Sequence, residues 1–388
     1  MVQLNTRQVG GGNSSPSNRE SHVDIIKGWA MLTIVVFHCS SGLFPGLIPQ
    51  VMGNPWNVAV FFIVGGFFLN TDNMLHPFTF LLKKLKTLYV PATIIYLLAV
   101  LLHNVFVLVG WYTLGELHPG NGQPFQFFGI REFAIGCAKV ICCGGSGELV
   151  MGAMWFLYTL IYSFVGLALL WWLINKIPPM ICKSNEDDGN ISFNLMTILL
   201  LLMAIGSCVL TQNYGITISR ISIAVTAMFL IWIGMIINKR LCWSYDNKWM
   251  FVGCLFIFVQ CILLGKVRIK MANNQYQDIL QIVVGSSCLI YVWGYIAKRI
   301  SDSYIGRFLA LVGRESLYVM ALHIVGFFIC NSLLKVFGVF SIHSPHGMYT
   351  FDLNGNICLF LLYMLFAVGV PLLIIKGIRM IKTKIFVR

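Results

Sequence analysis

Ser21-His22-Val23-Asp24-Ile25-Ile26-Lys27-Gly28-Trp29-Ala30-Met31-Leu32-Thr33-Ile34-Val35-Val36-Phe37-His38 reads as the start of a membrane-spanning helix, which needs about 20 predominantly apolar residues. It also carries an acid, a cation and an imidazole. A helix turns about 100° per residue, so Lys27 to His38 closes to roughly 20° and Asp24 to His38 to roughly 40°. The three share one stripe. Ionisable groups are costly in hydrocarbon, so an aligned set of them is by default a functional hypothesis.

The rest of the chain has the same greasy character. Its 388 residues are 58% hydrophobic and only 11% charged, against about 25% charged in soluble domains, and the mean hydropathy is +0.80. Apolar runs recur near 24–43, 55–70, 88–110, 152–174, 193–210, 219–237, 249–265, 279–297, 316–340 and 356–375. These predict an all-α integral membrane protein of about ten transmembrane helices. An N-terminus in the cytoplasm puts 20 of the 27 basic residues inside and seven outside, which favours both termini inside. Three of the seven cluster in Lys266-Val267-Arg268-Ile269-Lys270. The net charge of +13 then follows from topology and anionic lipid. It makes the bilayer the implied partner and gives no support for binding nucleic acid.

Residues 1–20, with Gly10-Gly11-Gly12-Asn13-Ser14-Ser15-Pro16, read as a disordered cytoplasmic tail without the apolar core of a cleavable signal. Residues 21–388 read as one transmembrane domain. The longest connection, from Trp111 to Met151, falls outside and is too long for a turn, so it is expected to cover part of a site. Lys176–Asn190, with Pro178-Pro179 and Glu186-Asp187-Asp188, reads as a solvated inner hinge. The twelve cysteines lack the spacing of a zinc site. Cys137, Cys142 and Cys143 lie in the outer connection, where a disulfide is compatible but not indicated.

Each candidate for chemistry has a plainer reading. Asp24 can cap the helix in a Ser21-x-x-Asp24 capping box, and Lys27 can snorkel to lipid phosphates. His38 lies about 21 Å along the axis from Asp24, well inside the bilayer. Its plainer reading, a hydrogen-bonded core histidine, is the weaker one. An imidazole, with its ordinary pKa of about 6.5, suits removal of a proton from a hydroxyl at neutral pH. Lys83, Lys84 and Lys86 read either as a positive-inside anchor or as a phosphate-binding cluster. Arg314 and Glu315 form either a local ion pair or part of a site. Ser316 and His323 lie on one helix face to within roughly 20°, and His323 repeats the argument made for His38. Gly65 and Gly66 allow close helix packing, and Trp155 marks an interface belt.

Taken in order, these pieces resemble the membrane-bound acyltransferase-3 family, whose members O-acylate carbohydrates and other acceptors. The resemblance runs from Ser21 to about Leu373. Asp24-Ile25-Ile26-Lys27-Gly28 with His38 is similar to the family's basic-x10-His motif, with Lys27 where Arg is usual. Gly65-Gly66-Phe67 resembles its Ser-Gly-Phe element, with Gly65 in place of the serine. The lysines before Pro91 are similar to its Arg-x-x-Arg motif: spacing to the proline favours Lys84 and Thr87, whereas Lys83 and Lys86 preserve the two charges. Trp155-Phe156-Leu157 and Ser316-Leu317-Tyr318 through His323 complete the pattern.

The resemblance implies ten core helices in the cell's inner or plasma membrane and no permanently bound cofactor. It also implies an acyl-CoA donor, commonly acetyl-CoA, and an acceptor hydroxyl on an envelope glycan or lipid-linked sugar. On that basis His38 is expected to act as general base or, alternatively, to take the acyl group itself, with Asp24, Glu315 and His323 in the catalytic site. Lys27, Lys83, Lys84 and Lys86 are expected to hold the donor. A transporter or flippase using the same His and Lys as a relay fits the composition equally well.

Overall fold

Among the described residues, eight helices are long and apolar enough to cross a membrane, and two shorter ones, Trp56–Phe67 and Lys248–Leu263, are similarly apolar. Together they account for all ten apolar runs. The computed structural model describes residues 18–39, 56–118, 122–145, 147–176, 188–264, 271–274, 279–338, 349–350, 353 and 356–386. Most of the polar tail, the acidic inner loop and the basic loop at 265–270 lie outside the described residues. Among those described there is no strand, only one isolated antiparallel bridge between Leu117 and Pro124.

In chain order the principal helices are α1 (Asn18–Cys39), α2 (Trp56–Phe67), α3 (Pro77–Lys84), α4 (Val90–Leu101), α5 (Ile130–Cys143), α6 (Trp155–Ile174) and α7 (Asp188–Tyr214). They continue with α8 (Ser219–Met235), α9 (Lys248–Leu264), α10 (Ile279–Ile300), α11 (Tyr304–Arg314), α12 (Ser316–Val336) and α13 (Ile357–Phe386). The central helix is α1, packed against α2, α10, α11, α12 and α13, while α8 joins α2, α6 and α7 into the second half of the bundle. Ile25, Ile26, Met31, Trp56 and Phe62 are sealed inside. Lipid takes the role of solvent around the rim, where only 22% of the α7 span and 28% of the α13 span is buried.

Where α1 meets α11, a Cβ at Gly28 would lie 2.1 Å from the Leu309 carbonyl oxygen, and one at Gly313 would lie 1.8 Å from that of Asp24. The crossing of α2 and α8 is built the same way, by Gly66 against Ile231 and Gly234 against Ile63. In lipid there is little hydrophobic gain between helices, so close backbone approach through small residues is what holds them together.

Three elements depart from the expected plan. The third span begins at Pro77, not near 88, because α3 runs through a π-turn at Leu85–Tyr89 into α4. Pro91 cannot donate to the carbonyl four residues back and its ring clashes there, and the widened turn absorbs both problems, with Val90 N–H bonding to the Leu85 carbonyl. The lysines therefore sit within the span. The outer connection contains a 14-residue helix, α5. Gly129 precedes it, with the Glu132 carboxylate accepting the Gly129 N–H at 3.0 Å, and left-handed Gly144 closes it at φ 69°. Finally, amphipathic α11 lies between the eighth and ninth spans and turns the chain back along α1.

These packings sort the polar groups into two ends. The first halves of α1 and α3 share one end with the last turns of α2, α6 and α8. That end holds Lys27, Lys84, Lys239 and Arg240 and is here called the basic end. At the opposite end are His38, His103, Glu148 and Tyr349, and it is called the histidine end.

Candidate active site

His38 stands in the last turn of α1 and is half-buried. Its ring centroid is 5.3 Å from that of His323 on α12 and 5.4 Å from that of Tyr349. His323 is fully buried. Its Nδ1 lies 3.0 Å from the carbonyl oxygens of both Val319 and Met320, one turn back in its own helix. Carbonyls only accept, so the proton is on Nδ1 and Nε2 carries a lone pair. That Nε2 has no partner among the described residues. Burial pushes the Tyr349 phenol up to about 12, so at neutral pH it remains a donor. Its hydroxyl rests against Gly152, where a Cβ would come within 2.5 Å. Two imidazoles and a phenol thus converge where α1, α12 and the turn containing Gly152 meet.

The other predicted site residues lie at the basic end. Lys27 pairs with Asp24 at 3.4 Å, one turn apart, and its ammonium is 4.7 Å from the Phe68 ring centroid. Of the three lysines before Pro91, Lys83 and Lys86 are exposed while Lys84 turns inward. Its Nζ stands 3.7 Å over the Phe164 ring, and the same ring lies 3.6 Å from where a Gly65 Cβ would be. Lys27 and Lys84 thereby approach the C-terminal turn of α2 from different helices, where the negative end of its dipole favours cations. Glu315 is buried and forms an ion pair at 2.7 Å with Arg379 of α13, not with neighbouring Arg314. It lies about 12 Å along α12 from His323. Lys27 is likewise separated from His38 by roughly 16 Å of helix.

Next to Lys84, two turns further along the same face of α6, a cavity of about 460 Å³ is lined by Trp171, Asn175, Lys239 and Arg240. The buried Trp171 indole N–H has no partner among the described residues. Arg240 stacks 4.2 Å over Phe193 and donates to Asn190 at 3.2 Å. This basic end can receive an anionic ligand, and the histidine end can move a proton.

A family model described as an acyltransferase domain matches residues 21–376. The chain belongs to the acyltransferase-3 family. It is accordingly a multi-pass membrane acyltransferase. Neither a curated protein nor a solved structure matches the chain. Within this acyltransferase, the motif residues separate by depth: the histidines of α1 and α12 come together, while Asp24, Lys27, Glu315 and the α3 lysines stay at the basic end.

Sequence reasoning missed several groups of this acyltransferase. His103 sits in an apolar run and could have been found by the argument applied to His38. Lys239 and Arg240 counted only as topology signals, although they line a cavity. Nothing in its local pattern marks Tyr349, which only tertiary packing carries to His38.

Proposed function

We propose that the protein moves an acyl group, acetyl from acetyl-CoA, to a hydroxyl of an envelope glycan or lipid-linked sugar in the inner or plasma membrane. The observation that carries this reading is the convergence of His38 with the buried imidazole of His323 and the protonated phenol of Tyr349, whose ring centroids lie 5.3 and 5.4 Å from its own. The basic end faces the cytoplasm, in keeping with the distribution of Lys and Arg. There Lys27, Lys83, Lys84 and Lys86 attract the phosphates of the donor, and Lys239 and Arg240 add to that charge. The pantetheine arm then spans the roughly 16 Å of α1 between Lys27 and His38.

At the histidine end, His38 removes the proton of the acceptor hydroxyl as its oxygen attacks the thioester carbonyl. Tyr349 donates to the carbonyl oxygen while negative charge gathers there. The His323 lone pair stabilises the imidazolium at His38. Collapse breaks the C–S bond, and the thiolate takes the proton back from His38, leaving an ester and free CoA. Asp24 and Glu315, each in an ion pair at the basic end, hold the cations and α12 in position.

The test is transfer of label from radiolabelled acetyl-CoA to an envelope extract by the purified protein. His38→Ala should abolish transfer while the variant still inserts and elutes as the parent does. Label transfer retained by that variant would sink the proposal.

A further inference from the structure

At the histidine end a cavity of about 310 Å³ opens beneath the outer connection, lined by His103, His118, Phe125, Gln126, Lys139 and Glu148 among others. Its roof is formed by segments 115–118 and 122–126, paired through the His118 N–H to the Gln123 carbonyl at 2.8 Å and the Phe125 N–H to that of Glu116 at 2.9 Å. Glu148 and His103 form its floor, 5% and 4% exposed. His103 Nδ1 stands 2.9 and 3.1 Å from the two carboxylate oxygens. The His103 Nε2–H donates to the Gln126 carbonyl at 3.0 Å, and its ring stacks on Phe128 at 3.5 Å. Tyr112 donates to the second carboxylate oxygen at 3.0 Å; burial and the nearby carboxylate raise the Tyr112 phenol well above its ordinary range.

A buried carboxylate–imidazole pair is weak evidence for stability, because desolvation cancels much of its attraction. Here the pair also faces a cavity rather than a sealed core. Glu148 further begins the 3₁₀ turn Leu149–Met154, and four residues on, Gly152 lies against the Tyr349 hydroxyl beside His38. Only four residues of a segment that kinks at Met151 separate the cavity floor from that contact. A carboxylate and amides that engage vicinal hydroxyls, next to aromatic faces that cover C–H surfaces, suit a sugar ring.

We propose that this cavity is an acceptor subsite that holds one sugar ring of the substrate through Glu148 and Gln126, next to the hydroxyl acylated at His38. The subsite rests on the reading of His38 as the transfer centre. The 3₁₀ turn couples the two, so that a ring seated against Glu148 sets the position of its neighbour at Tyr349.

Saturation-transfer NMR on the purified protein with methyl glycosides of glucose, galactose, mannose, N-acetylglucosamine and glucuronic acid tests binding directly. At least one glycoside should bind the parent and His38→Ala alike, and at least tenfold more weakly to Glu148→Gln and to Gln126→Ala. The exposed Gln126 keeps its backbone carbonyl in that variant, so His103 stays bonded. With acetyl-CoA saturating, both variants should raise the KM for acceptor tenfold or more and leave the kcat within twofold; with acceptor saturating, the KM for acetyl-CoA should also stay within twofold. Binding by no glycoside, or binding equal in parent and both variants, overturns the subsite and leaves the role of His38 to its own assay. Should the parent bind a glycoside through Glu148 yet transfer no label, the transfer reading fails and the sugar site stands.

Discussion

His323 donates its Nδ1 proton to carbonyls of its own helix, which leaves the lone pair on Nε2, without a partner among the described residues, in a ring whose centroid lies 5.3 Å from that of His38. A histidine that only filled space would tolerate replacement by another ring. His323→Phe keeps an aromatic ring against Phe327, whose ring lies 5.9 Å away, and deletes both ring nitrogens. Its kcat should fall about 100-fold, the lower range for loss of an acid–base partner, with both KM values and the thermal midpoint near those of the parent. An unchanged kcat would reduce His323 to packing. At this scale the sequence was informative about residue type and depth, since an intramembrane imidazole is costly without polar company. It was silent on partners: Glu315 reads as the neighbour of Arg314, yet its carboxylate reaches 64 positions ahead to Arg379.

Among the helices, the reciprocal glycine contacts explain how α2, only 12 residues long, holds its place against α8. A methyl at Gly234 would meet the Ile63 carbonyl oxygen at 1.7 Å, and backbone cannot yield as a side-chain tip does. Gly234→Ala should therefore lower stability by roughly 1–3 kcal/mol, as overpacking does elsewhere, read as an earlier thermal transition in detergent. Gly206→Ala on lipid-facing α7, with nothing within 4 Å, serves as the control and should be neutral or slightly stabilising. If both substitutions behave alike, the close crossing is not what anchors α2. Helix existence was legible for all ten apolar runs because long apolar runs leave few alternatives in lipid. Helix starts were less so: Lys83, Lys84 and Lys86 depress local hydropathy, so the third span reads as beginning after them. In the folded chain Lys84 instead lies over Phe164 inside the span.

For the molecule as a whole, the separation into a basic and a histidine end makes membrane orientation the decisive arrangement. If the basic end is cytoplasmic, native Cys242, exposed there, should react with an impermeant maleimide only after cells are permeabilised. With the exposed Cys142, Cys143 and Cys358 changed to Ser, a cysteine introduced by Gln123→Cys, at an exposed position of the opposite end, should react on intact cells. The reverse labelling pattern would invert the topology and remove the donor from the side on which acyl-CoA is supplied.

Composition and apolar periodicity alone determined that this chain is an all-helical membrane protein, because hydrocarbon admits few ways of satisfying a backbone. The same pattern, read with its ordered motifs, pointed to the acyltransferase-3 family and singled out His38 and His323. What surrounds those histidines was decided by tertiary structure. Tyr349 and Glu148 reach the site from connections whose local sequence carries no periodic signal, and their proximity to it depends on how helices distant in sequence cross. The shared stripe of Asp24, Lys27 and His38 holds along the helix, while its members stand at opposite ends of the bundle. Rotation about an axis can be read from residue number, whereas the partner met at each depth depends on the neighbouring helices: Phe68 for Lys27, His323 and Tyr349 for His38.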